Sequence, residues 1–205
     1  MKEKTIETLN SQHIDALKEI SNIGAGNAVT ALSQFLDCRI EMTVPSIEIL
    51  PLEEIPDVTG GAEEVVLAIL LKVIGDAPGN ILFIFSQKGA TDFLQDVLKR
   101  KVIVEDLQEI EKSALKELGN ILAGAYLSAL NRITNFNLIQ TVPEFAYDMA
   151  GAIISSITIS TCIENDYALL LETQFTSNGK NIEGYFFLIP SPGSLNKLLS
   201  GLGLE

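Results

Sequence analysis

One histidine, two cysteines and 14 basic residues are all that this 205-residue chain has of the groups that most often hold metals, form cross-links or grip polyanions. His13 alone cannot build a histidine-based metal site. Cys38 and Cys162 lie far apart in apolar surroundings with no metal-ligand spacing around them, and they read as buried free thiols of a cytosolic protein. Against the 14 Lys and Arg stand 27 Asp and Glu, a net charge of −13. That balance argues against nucleic acid or an anionic membrane as partner and points to a basic patch on another protein. No charged-then-apolar leader opens the chain, and no run reaches the ~18 apolar residues of a membrane span, so a soluble, cytoplasmic protein without membrane insertion is expected. There is no G-x-x-x-x-G-K-[ST], and Gly24-Ala-Gly26 lies inside a helical pattern rather than between a strand and a helix. No base stands near a candidate nucleophile.

What the chain does have is a repeat. From Asp15 to Asn27 it reads DALKEISNIGAGN, and from Ser113 to Ala125 it reads SALKELGNILAGA. The offset of 98 residues that carries Glu19 onto Glu117 also carries Asn22 onto Asn120 and Gly26 onto Gly124. It carries Thr43-Val44-Pro45 onto Thr141-Val142-Pro143 as well. An offset held without a gap over this length marks an internal duplication.

At 100° per residue, Ile14, Leu17, Ser21, Gly24, Ala25, Ala28, Leu32 and Phe35 share one side of a helix, which is the expected buried stripe. Asp15, Glu19, Asn22 and Gly26 fall on the other side, within a sector roughly 60° wide. In the second copy that sector holds Ser113, Glu117, Asn120 and Gly124. The copies agree best on the polar face, whereas packing would preserve the apolar one. Taken singly, Glu19 and Glu117 read as solvated helix residues, and Gly24 and Gly119 as points of tight packing. Gly26 and Gly124 are different, because an outward glycine inside a helix costs about 1 kcal/mol against alanine. A bare spot beside each asparagine lets another molecule come close. The two glutamates could act as a carboxylate pair in glycoside chemistry only if they faced each other across a cleft, and such a pair needs no matching asparagines.

Periodicity predicts helices over residues 11–35, 86–99, 105–132 and 194–202, with Thr8 or Asn10 capping the first and Ser86 the second. Strands are predicted over 38–44 with a further extended piece after Pro45, then over 64–74, 80–85, 137–142, 167–176 and 182–189. Residues 51–61 read as a loop, and 149–163 as a mixture of short helix and strand. The predicted architecture is an α+β, pseudo-twofold duplicated domain over residues 1–205, with homologous halves of about 1–104 and 105–205. Two long motif helices pack on a central antiparallel sheet.

At Asp15-x3-Glu19-x2-Asn22 followed by Pro45, and Ser113-x3-Glu117-x2-Asn120 followed by Pro143, the chain resembles the CheC/CheX/FliY family of chemotaxis phosphatases. That family's motif is an acid or serine, then Glu, then Asn, then a distant proline, and 22 residues separate asparagine from proline in both copies here. Two complete motifs match the CheC type; CheX is expected to carry one, and FliY an additional switch-protein domain. The resemblance implies hydrolysis of the aspartyl phosphate of the response regulator CheY, with Glu19, Asn22, Glu117 and Asn120 as catalytic residues. Asp15, Ile23, Gly26, Ser113, Ile121 and Gly124 would contribute to docking, with partial burial of the two isoleucines as an equal alternative. It implies no cofactor of the chain's own, since Mg²⁺ comes with phosphorylated CheY, and it implies CheD as a further partner of a chain that is otherwise monomeric. The alternatives are a receiver-binding adaptor or flagellar-switch component that hydrolyses nothing, and a regulator of the CheD deamidase. Asp15 against Ser113 and Asn27 against Ala125 leave the two sites unranked.

Overall fold

The computed structural model describes residues 9–36, 39–161, 167–177, 180–182 and 184–204. Helix α1 (Ser11–Leu36) begins at a reciprocal cap. The Asn10 side chain accepts the His13 N–H at 3.0 Å, and the Asn10 N–H donates to His13 Nδ1 at 3.1 Å. The single histidine is thus buried in a helix start, in the role a Glu or Gln usually takes. Helix α4 (Glu109–Thr134) starts the same way 98 residues later: Gln108 caps it, and Glu111 Oε2 accepts the Gln108 N–H at 3.0 Å. This box sets the start of α4 at Glu109 rather than the expected residue 105, and the intervening Val104–Asp106 form a 3-10 turn. Buried Glu111 is further held by Arg100 at 2.6 Å.

Eight strands form one antiparallel sheet among the described residues: β1 (Ile40–Pro51), β2 (Val65–Gly75), β3 (Gly79–Ser86), β4 (Leu138–Gln140), β5 (Glu144–Met149), β6 (Tyr167–Ser177), β7 (Lys180–Ile182) and β8 (Gly184–Pro190). The order is β1-β6-β8-β3-β2-β4, with β5 also on β2 and β7 on β6. The order reads alike from both edges. Ile40 faces Ser177 across β1 and β6, and its counterpart Leu138 faces Gly75 across β4 and β2. Strand β3 is apolar and buried nearly end to end because helices cover both faces of the sheet.

On one face lie α1, α3 (Gln87–Leu98), α4 and α6 (Ser194–Gly201), with Leu17, Leu32, Phe93, Leu115 and Leu198 in their shared core. On the other lie α2 (Ile55–Val58) and α5 (Ala150–Thr161), burying Ile55, Ile153 and Phe187. Side chains as fully buried as Phe93 and Phe187 contribute about 1.5–3 kcal/mol each. Ser86 caps α3 as expected, its Oγ accepting the Gly89 N–H at 3.0 Å.

Besides the start of α4, four expectations need correction. Residues 51–61 are not an open loop: a 3-10 turn over Leu52–Glu54 runs into α2, whose first turn carries Pro56. Residues 150–161 are all helix, because Glu64 and Ala62 carbonyls accept the Ala150 and Gly151 N–H groups and pin the first turn. The strand expected over 137–142 stops at Gln140, and β5 follows it after Pro143. Phe35, assigned to the buried stripe, is 46% exposed near the end of α1. Cys38, Cys162 and the Thr8 cap lie outside the described residues.

The repeated Thr-Val-Pro triplet has two outcomes. In β1 it makes a register shift between Thr43 and Ser46, so one long strand carries a bulge. In the second copy it separates β4 from β5, and Thr141 turns to bond Lys72, whose carbonyl accepts the Thr141 N–H at 2.8 Å.

Candidate functional site

Helices α1 and α4 pack against each other on the sheet. Gly24 permits the approach, since a Cβ there would stand 3.0 Å from the Tyr126 Cα. Gly119 is equally constrained, with Ile69 Cγ2 2.7 Å from its would-be Cβ. Both buried glycines are therefore packing positions, as expected. Tyr126 is buried, and its phenol is pushed up by that burial, with a hydrogen bond to Ser21 acting in the opposite sense. This bond joins the helices one residue from Asn22.

The polar sectors look outward. Asp15, Glu19, Ser113 and Glu117 are exposed, and Asn22 and Asn120 are half-buried. Neither Glu19 nor Glu117 has an ion-pair partner among the described residues. Ile23 and Ile121 are half-buried and pack on the core, so much of their surface is already used within the chain.

The asparagines differ. Asn22 Oδ1 accepts the Val44 N–H at 3.0 Å, and its Nδ2 donates to Val44 O at 3.1 Å and to Lys18 O at 3.1 Å. Both ends of this carboxamide are engaged with backbone, and they satisfy the unpaired groups of the β1 bulge. Val44 is correspondingly buried, whereas Val142 is 83% exposed. Asn120 bonds no backbone group among the described residues. Its Oδ1 meets Gln140 Nε2 at 3.4 Å, and its amide end is unpartnered among the described residues.

The outward glycines differ too. A Cβ on Gly26 would meet nothing within 4 Å, but one on Gly124 would stand 3.0 Å from Gln140 Nε2. The bare spot expected at Gly124 is thus roofed by a side chain; only that at Gly26 is open. Gly26→Ala is expected to stabilise the fold by up to about 1 kcal/mol, seen as a higher melting temperature, while hindering whatever docks on this face. A lower melting temperature would mean that this face of α1 is not a free surface.

Sequence reasoning missed Gln140 and the Val44 backbone. The signal for Gln140 was a polar residue standing where the first copy has Met42, on the strand that returns beside the motif helix. For Val44 it was the fixed spacing to Pro45, which marks where the strand must deform.

No three His, Cys, Asp or Glu side chains gather into a metal-holding group among the described residues, and none of the described helices is long and apolar enough to cross a membrane. A groove of about 860 Å³ lined by Leu52, Ile154 and Tyr167 lies on the α2/α5 side of the sheet, away from both motifs.

Residues 13–49 and 110–147 match the CheC-like family. Over 200 residues the chain is 36% identical to the CheY-P phosphatase CheC of Bacillus subtilis, covering 95% of this chain and 96% of that protein. Among solved structures, FliY of Thermotoga maritima superposes with a TM-score of 0.78 at 18% identity, covering 96% of this chain and 98% of the other. A CheX–CheY–BeF3–Mg²⁺ complex from Borrelia burgdorferi gives 0.53 at 18% identity, covering 84% and 96%. The weak identities speak for the fold alone; the extended match at 36% reaches further and spans both copies of the motif, so the chain belongs to the CheC-like family.

Proposed function

We propose that the chain hydrolyses the aspartyl phosphate of a CheY-type response regulator, the activity carried in the name of its Bacillus subtilis relative. The observation that carries this reading is the half-exposed Asn120 carboxamide beside Glu117, with the Glu117 carboxylate unpaired and the Asn120 amide end free among the described residues. An acyl phosphate is already activated, so what remains is to hold a water in line with the leaving oxygen. A carboxamide both donates to and accepts from a water and brings no charge to repel a phosphoryl group. Asn120 takes that role as it stands, and Asn22 takes it only where a partner releases it from Val44. The Mg²⁺ enters with the partner, and no residue of this chain is assigned to it. Glu117 and Glu19 pair with a lysine beside the partner's phosphorylation site and hold register. CheD is retained as a second partner, with no interface residues assigned.

The test is phosphate release from phosphorylated CheY with and without the chain, repeated with CheD. Glu19→Gln with Glu117→Gln is expected to raise KM about threefold to tenfold and to flatten its dependence on salt, with little change in kcat. Binding of phosphorylated CheY without faster phosphate release would favour the adaptor reading. An unchanged KM and salt slope would make these glutamates surface residues only.

A further inference from the structure

In the first copy, the carbonyl end of the motif asparagine accepts a backbone N–H from Val44. In the second copy the strand ends at Gln140, and no Val142 backbone group reaches Asn120. Yet Asn120 Oδ1 still faces an amide N–H donor, now on a side chain, Gln140 Nε2 at 3.4 Å. The sheet aims Gln140 there. Gln140 pairs with Val73 at the end of β4, and strand alternation puts its side chain on the same face as buried Leu138, toward α4. Its first-copy counterpart Met42 pairs with Phe175 and lines an apolar cavity with Phe83 and Leu118, so it offers no donor.

The same placement of Gln140 bears on Gly124. Nothing fills the space over Gly26, whereas the space over Gly124 is taken by Gln140 Nε2, 3.0 Å from where a Cβ would be. The glycine of the second copy therefore makes room for the chain's own carboxamide.

We infer that Gln140 is a positioning residue of the second site, holding the carbonyl end of Asn120 so that the amide end is presented to an incoming molecule. The inference rests on the phosphatase reading above. Asn120 Oδ1 has two lone pairs, and one remains for a water hydrogen after Gln140 is bound. A free carboxamide rotates about its last side-chain bond and presents either end; a donor fixed on Oδ1 removes the reversed orientation. The 3.4 Å separation is long for such a bond.

The test uses the full chain and phosphorylated CheY. Gln140→Met, which installs the first-copy residue, is expected to lower kcat about tenfold with KM and melting temperature unchanged. Gln140→Glu, an acceptor facing an acceptor, should lower kcat at least as far. Gly124→Ala, which displaces the Gln140 amide, should lower kcat in the same direction. NMR relaxation of the Asn120 side-chain amide gives a readout apart from activity: it should be rigid in the wild type and mobile in Gln140→Met. Wild-type kcat in Gln140→Met with an equally rigid Asn120 amide would overturn the inference. So would full activity in Gln140→Glu, which would mean that Asn120 donates to Gln140 instead. Asn120→Ala is the control: if it retains full activity, the phosphatase role of the site fails, and the relaxation measurement alone then decides whether Gln140 orders Asn120.

Discussion

Asn120→Ala is expected to lower phosphate release from phosphorylated CheY about 10²-fold, the scale for losing a transition-state positioning group, without moving the melting temperature. Asn22→Ala should behave in the opposite way. It removes both partners of the Val44 backbone inside the β1 bulge, where Val44 is 2% exposed. Leaving buried N–H and C=O groups unpaired costs about 1–3 kcal/mol, so the midpoint of denaturant unfolding should fall while most of the activity survives. The double mutant should combine the two losses. Equal losses of activity in the two single mutants, with equal stability, would show that Asn22 leaves Val44 when the partner binds and that the sites are equivalent. Full activity of the folded double mutant would remove both asparagines from the chemistry.

The second large effect is expected at Gly75, where β2 ends against β4. Its φ is +116°, a conformation that side chains rarely adopt, and an added Cβ would lie 1.9 Å from the Asn137 carbonyl oxygen. No rotamer change relieves a clash between backbones. Gly75→Ala should cost about 2–5 kcal/mol from strain and displacement together. The damage should be directional, because the segment pushed away leads within three residues to Gln140. Loss of second-site activity in a protein still folded at low temperature is the expected result. A variant as stable as wild type would mean that β4 is not held at Gly75 as described.

The motif helices were legible in the sequence because their information is local and doubled. The buried stripe and the polar sector sit on consecutive turns, and the 98-residue offset shows each twice; the cap of α4 was missed, because Gln108 and Glu111 do not repeat the Asn10 and His13 of α1. Ser86, Gly24 and Gly119 were legible for the same reason: a cap or a packing glycine leaves its mark on its own element. The inequality of the two sites was not legible, since the Glu, Asn and Pro positions are identical. It depends on what one Thr-Val-Pro triplet does within a long strand and what the other does between two short ones. Helix α5 was misread because Ile and Thr favour strands intrinsically, and only Ala62 and Glu64, distant in sequence, fix its first turn. Ile23 and Ile121 lie between the two faces, and only the packed structure shows their partial burial.

The bulge and the break also bear on colloidal behaviour. An antiparallel sheet of this size leaves two open margins, and an uninterrupted margin is a template for another chain to add to. Among the described residues the margins are β1 on one side and β4 with β5 on the other, and each carries a proline-centred irregularity at Pro45 or Pro143. The regular stretch left on either margin is no longer than six residues. Proline withholds a donor at the midpoint of each, and Glu48 and Glu144 add like charge along them. The triplet that distinguishes the two asparagines thereby interrupts both ladders along which copies of the molecule would otherwise stack into fibres.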